Sequence, residues 1–118
     1  MTSAPALLLF IASDPERSGA TAEALRMGMG LAAGSRSVQV VLSGPAARVL
    51  TEEVDELVDG EMIENHLEVF AEWDTPFFVA RQAIAEYGIR DAPVPVVPVD
   101  DSEIARMLAR ARNVMVFP

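Results

Sequence analysis

The 118-residue chain contains no cysteine and no lysine. Without cysteine it has no disulfide framework, and no thiolate can act as a nucleophile or a metal ligand. Without lysine, neither Schiff-base chemistry nor a P-loop lysine is available. These two absences exclude several common reaction classes, and the lack of disulfides fits a protein from a reducing compartment.

Positive charge is also scarce. Nine arginines supply all of it, against 18 acidic residues, and the net charge is -9. Because nucleic acids and anionic membranes are bound through positive surfaces, we expect neither as a partner. Every charged residue between positions 51 and 75 is acidic. The pattern predicts a solvated helix face over residues 52–74, with docking of a basic protein as the alternative.

The usual motifs of metal, cofactor and serine chemistry are missing as well. The acidic residues lack the glycine-centred spacing of a calcium loop, and no serine has a G-x-S-x-G context. Residues 28–34, GMGLAAG, lie at the end of a predicted helix and not in the turn after a strand, so a dinucleotide site is not indicated. His66 is the only histidine, and we interpret it as a packing or surface residue. We expect no metal and no cofactor.

Apolar residues make up 51% of the chain, which predicts one globular domain over residues 1–118. Five short apolar runs alternate with helical patterns. The predicted strands are residues 6–12, 38–42, 77–80, 94–99 and 114–117. The predicted helices are residues 18–33, 46–74 with a break near 59–60, 81–87 and 100–112. The last of them is predicted to begin with Asp100 as its cap and with Glu103 completing a capping box. Continuous apolar strands are typical of sheets covered on both faces. We therefore predict an α/β fold, a three-layer α/β/α sandwich on a five-stranded parallel sheet.

Two further signals refine this fold. Prolines at positions 93, 95 and 98 predict that the fourth strand lies at a sheet edge. The first apolar run, residues 6–12, is too short to span a bilayer and has no basic segment before it. We interpret it as a buried strand of a cytoplasmic protein.

The turns that follow the first three strands supply the candidate site. In a parallel sheet the carboxyl ends of the strands lie at one edge, where ligands usually bind. Arg81 could bind an anion or pair with the acidic helix, and the sequence leaves both open. The candidate ligand-binding residues are Ser13, Asp14, Ser43, Gly44, Ala80, Arg81 and Gln82.

The most informative segment is residues 77–89, a predicted strand, turn and short helix that ends at Gly88. Ala80 stands where the strand ends, a place where parallel α/β proteins carry catalytic side chains. Its methyl group can neither transfer a proton nor attack a substrate. We therefore assign no catalytic residue.

This arrangement resembles the DsrE/DsrF-like family and its YchN-like fold. The resemblance rests on the turn Ser13-Asp14-Pro15 before a long helix, on residues 38–44 and 77–89, and on the closing strand VMVF. In sulfur-transferring members the third strand leads into a cysteine, and Ala80 stands at that position. The resemblance implies a homo-oligomer, such as a dimer, trimer or hexamer. Persulfide carriage would need a thiolate, which this chain lacks.

The resulting hypothesis is a non-catalytic DsrE-like protein, a homo-oligomeric small-ligand-binding or assembly subunit. Its interface would draw on small residues of the first helix and on four methionines, Met27, Met29, Met62 and Met107. One alternative is an enzyme that uses Asp14, Ser43 or Arg81 on a bound metabolite. The other is a structural partner of a basic protein through its acidic segment.

Overall fold

The structure, a computed structural model, describes residues 5–34 and 37–118. Its strands are β1 (Leu7–Ile11), β2 (Val38–Leu42), β3 (Phe77–Ala80), β4 (Val96–Val99) and β5 (Val114–Phe117). Its α-helices are α1 (Ala20–Ala33), α2 (Gly60–Glu72), α3 (Arg81–Tyr87) and α4 (Asp101–Arg110). Two 3-10 segments, Gly44–Leu50 and Val54–Glu56, connect β2 to α2.

The five strands form one sheet in the order β4-β3-β2-β1-β5, and all pairs are parallel. The first three crossovers step in the same direction along the sheet, whereas α4 leads back across it to β5. Because such crossovers are right-handed, α1, α2 and α3 cover one face and α4 covers the other. The predicted α/β fold with five parallel strands is confirmed.

The core lies between the sheet and the α1–α2 layer. Leu9, Val40 and Phe77 are in register on neighbouring strands and are fully buried. Phe70 of α2 contacts Phe77 edge-on, with ring centroids 5.2 Å apart. On the other face α4 contributes only one buried side chain, Ile104. Most apolar surface is therefore removed from water on the α1–α2 side, where the bulk of the hydrophobic stabilisation lies.

Several helix and strand ends lie where the local sequence predicts them. The bounds of β2, β3 and β5 agree with the prediction, and β4 is an edge strand as expected. Gly88 ends α3 with a φ of 59°, a left-handed conformation that glycine adopts without a steric penalty. Asp100 caps α4 in a capping box with Glu103, as predicted.

Other bounds differ from the prediction. The helix expected over residues 46–74 is α-helical only over Gly60–Glu72, and before it the chain forms two separate 3-10 segments. The Thr51 hydroxyl donates to the Arg48 carbonyl at 2.7 Å, which ends the first 3-10 segment. α4 ends at Arg110, two residues early. Here the Arg112 amide donates to the Pro5 carbonyl at 3.4 Å instead of continuing the helix.

β1 and β4 are shorter than predicted, and α1 begins at Ala20 and not at residue 18. At the start of α1 the Ala20 amide donates to the Ser18 hydroxyl at 3.3 Å. No helix in the described part of the chain is long and apolar enough to cross a membrane.

Candidate functional site

The turns predicted to form the site do lie at one edge of the sheet. Leu42 is in register with Ile11 on one side and with Val79 on the other. Ser43 therefore follows β2 at the same level at which Ala80 completes β3. Parallel pairing alone brings these turns together, as the sequence predicts.

A small cavity of about 120 Å³ opens beside Ala80. Ala80 is the last residue of β3, pairs with Val99 of β4, and is only 7% exposed. Three of the seven predicted residues line this cavity. The six residues that line it are Ala80, Arg81, Gln82, Val99, Asp100 and Asp101.

The second half of this lining lies outside the predicted site residues. The sequence marks Asp100 only as a helix cap, and it predicts no site role for Val99 or Asp101. The signal was present, because β4 was expected at an edge and its carboxyl end must meet the other turns. What the sequence does not reveal is that β4 pairs with β3, which places Val99 and Asp100 beside Ala80.

The charges of the cavity are mixed. Asp100 accepts hydrogen bonds from the Glu103 amide at 2.9 Å and from the Ser102 hydroxyl at 2.8 Å. The bond from the Glu103 amide is the main reason that the pKa of Asp100 lies below its ordinary value. Arg81 and Gln82 are exposed at the start of α3. The structure gives Arg81 no ion pair with any residue it describes, so its guanidinium is available to a ligand.

These groups are suited to recognising a polar ligand. A guanidinium and a primary amide can orient a polar molecule, and the carboxylates can accept its hydrogen bonds. None of the six lining residues carries a thiol or a hydroxyl group. Within the described ranges, no group of three or more histidine, aspartate or glutamate side chains is placed to hold a metal ion.

Ser13 and Asp14, the candidate residues after β1, are occupied by contacts within the fold. The Ser13 hydroxyl is buried and lies 2.7 Å from the Thr21 hydroxyl on α1. Asp14 accepts a hydrogen bond from the Glu16 amide at 2.9 Å, which shapes the turn. Neither residue lines the cavity beside Ala80.

Ser43 and Gly44 follow β2 and also stand outside that cavity. The Ser43 amide donates to the Ile11 carbonyl at 3.0 Å, so its backbone belongs to the sheet. Gly44 begins the first 3-10 segment with a φ of 55°, a left-handed conformation that residues other than glycine rarely adopt. Both residues remain candidates by position at the edge of the sheet.

The structure also shows the surroundings of two features outside the turns, His66 and the glycines of residues 28–34. His66 is buried on α2 and lies near Glu23 and Arg26 of α1. Gly28 packs against the sheet, since a Cβ at this position would lie 2.6 Å from Leu9 Cδ1. Of the glycines in residues 28–34, only Gly28 is placed for close packing against the sheet, because a Cβ on Gly30 would meet no atom within 4 Å.

A parallel α/β/α sandwich whose third strand runs directly into a short helix is the class that the fold and site define. The family model of the DsrE/DsrF-like family matches residues 6–117. The chain therefore belongs to the DsrE/DsrF-like family.

Solved structures agree on the fold. The crystal structure of the YchN protein from E. coli superposes with a TM-score of 0.80. The alignment covers 96% of this chain and 99% of that one, at 17% sequence identity. At this identity the likeness establishes the fold alone. No curated protein matches the sequence.

Proposed function

We propose that this protein is a non-catalytic DsrE-like subunit that binds a small ligand at the Ala80 cavity and assembles as a homo-oligomer. The observation that carries the proposal is the nearly buried methyl group of Ala80 at the end of β3, inside a cavity lined by polar groups. The strand, turn and short helix that present a cysteine in sulfur-transferring members are retained, but alanine stands in the place of that cysteine. The cysteine-free sequence supports a cytoplasmic location.

The lining supports a small, polar ligand. Its volume of about 120 Å³ is well below the roughly 300 Å³ at which sites for drug-sized ligands begin. Arg81 and Gln82, at the start of α3, offer donors, and Asp101, at the start of α4, offers an acceptor. A compact molecule with both a donor and an anionic group matches this arrangement.

The exposed apolar residues at the sheet edges support assembly. Val116 of the edge strand β5 is 57% exposed, and Val114 of β5 and Val97 of β4 are also exposed. By their register all three lie on the face opposite Leu9 and Phe77, which α4 covers in the described part of the chain. An apolar edge strand offers unpaired backbone groups to another chain. Of the four methionines proposed for an interface, only Met62 is exposed.

Native mass spectrometry of gently purified protein tests both parts of this proposal. We expect a defined multimer that carries the same added mass on each subunit. Arg81→Ala and Gln82→Ala should lose that mass, whereas the control Arg17→Ala, which changes an exposed residue outside the cavity, should keep it. A bare monomer would contradict the assembly, and an added mass that survives both cavity variants would contradict the site.

A further inference from the structure

A second and larger cavity lies away from Ala80, between the first 3-10 segment, α2 and the loop at residues 90–93. Its volume is about 310 Å³, which lies within the usual range of small-molecule sites. Its apolar lining residues are Val49, Leu50, Val54, Leu67 and Pro93, and the buried ones among them, Val49, Leu50 and Leu67, form its floor. No lining residue is shared with the Ala80 cavity.

The rim of this cavity is strongly acidic. Four carboxylates, of Glu52, Glu64, Glu68 and Asp91, surround the apolar floor together with the single guanidinium of Arg90. Four negative charges against one positive charge leave three negative charges in excess. None of the five groups forms an ion pair with another residue in the described part of the chain.

The arrangement on α2 adds to this charge. Glu64 and Glu68 are four residues apart, so their carboxylates lie one above the other on the same helix face. Like charges at this spacing repel each other and destabilise a helix. Both side chains are exposed, so water screens part of this repulsion. A cation bound between them would relieve it.

We propose that this cavity binds a small organic cation, a protonated amine attached to an apolar body. The body would occupy the floor at Leu50 and Leu67, and the ammonium group would lie among the rim carboxylates. An organic anion would find only Arg90 as a partner and would be repelled by the four carboxylates. A neutral apolar molecule would gain the floor contacts alone, so the charge complementarity selects an amine.

The probe for this proposal is 2-phenylethylamine, which is protonated at pH 7. Its neutral analogue is 2-phenylethanol, and its anionic analogue is 3-phenylpropanoate. Each is titrated into 15N-labelled protein at low salt while the backbone amide resonances are recorded. We expect saturable shifts at Leu50, Leu67 and Arg90 with the amine. The alcohol should bind at least tenfold more weakly, and the carboxylate should give no saturable shift.

A matched pair of double variants tests the position of the site. Glu64→Gln with Glu68→Gln removes two rim charges, whereas Glu61→Gln with Glu72→Gln removes two charges from the same helix outside the cavity. All four residues are exposed, so both proteins should fold. The rim variant should weaken amine binding about tenfold, and the control should leave it within about twofold of wild type.

Three results would overturn the proposal. They are equal weakening by the two double variants, equal binding of the amine and the alcohol, and the absence of saturable shifts with the amine. A fourth result would replace the proposal. If a basic peptide shifts the same amide resonances and the amine does not, the cavity binds a protein partner. Arg81→Ala should leave amine binding unchanged, so the outcome is independent of the Ala80 cavity.

Discussion

Arg48 Nη2 lies 2.7 Å from Glu16 Oε1, and this ion pair joins the turn after β1 to the first 3-10 segment. The same guanidinium is 3.3 Å from Glu53 and lies over the ring of Tyr87, 5.9 Å from its centroid. Only 19% of the Arg48 side chain is exposed. The hydrogen bond to Arg48 lowers the pKa of Glu16, and the contact with Glu16 raises the pKa of Arg48. One side chain thus connects three segments that lie far apart in the sequence.

Arg48→Met tests this connection. We expect the free energy of unfolding to fall by about 1–2 kcal/mol, because the variant loses a partly buried ion-pair cluster and a cation–π contact while it keeps the aliphatic stem. The control is Arg17→Met, since Arg17 is 86% exposed and lies 3.5 Å from Asp14. That change should stay within about 0.5 kcal/mol of wild type in urea unfolding at pH 7. Equal losses in the two variants would contradict a structural role for Arg48.

The burial of His66 gives a prediction of how the free energy of unfolding depends on pH. The imidazole is 8% exposed, and its Nδ1 has no hydrogen-bond partner in the described part of the chain. Burial, with a smaller effect of Arg26, lowers the pKa of His66 below its ordinary 6.5, and Glu23 opposes this shift. As the pH falls through 6.5, the unfolded chain therefore binds a proton before the folded protein does. The free energy of unfolding should decrease from pH 7 downward, until the pH reaches the pKa of the folded protein.

His66→Leu supplies the comparison for this effect. Leucine fits the apolar contact between α1 and α2 and does not titrate, so the dependence between pH 7 and 5.5 should become flatter. Urea unfolding at four pH values measures the slope, and proton NMR of the single imidazole gives its pKa directly. An imidazole pKa at or above 6.5 in the folded protein would show that the burial argument is wrong.

Local signals were sufficient for much of the fold. The apolar run of β3, the stop at Gly88 and the cap at Asp100 are each encoded within a few residues, and the structure agrees with all three. Such signals act through backbone conformation and nearby hydrogen bonds, which the sequence shows directly.

Contacts between separate secondary-structure elements limit what the sequence alone can predict. The Ser13 hydroxyl bonds Thr21 eight residues away, so a residue that resembled a ligand donor is used in packing. A Cβ on Gly60 would lie 2.2 Å from the Val54 carbonyl oxygen, which shows how closely the second 3-10 segment passes over the start of α2. The second half of the Ala80 cavity depends on the order of strands in the sheet. None of these contacts is visible in local sequence.

The capping box of α4 gives a third prediction. Asp100→Ala removes the acceptor for the Glu103 amide, so the first turn of α4 should open more often and its amide protons should exchange faster. Asp100→Asn keeps an acceptor oxygen and should restore slow exchange. Asp101→Ala removes a charge from the same turn without touching the cap, and it is the matched control. Equal exchange in the Asp100→Ala and Asp101→Ala proteins would assign the effect to charge and not to capping.

Gly28 and Gly30 lie two residues apart on α1 and give opposite predictions for the same substitution. A Cβ on Gly28 would stand 2.6 Å from Leu9 Cδ1 and 3.7 Å from Phe70 Cζ, whereas a Cβ on Gly30 meets no atom within 4 Å. Leu9 is fully buried, so it cannot move aside without disturbing the core. Gly28→Ala should therefore lower the free energy of unfolding by about 1–3 kcal/mol. Gly30→Ala should raise it by about 0.5–1 kcal/mol, because alanine has a higher helix propensity than glycine at an exposed position. Urea unfolding measures both, and a stabilised Gly28→Ala protein would mean that α1 does not approach the sheet this closely.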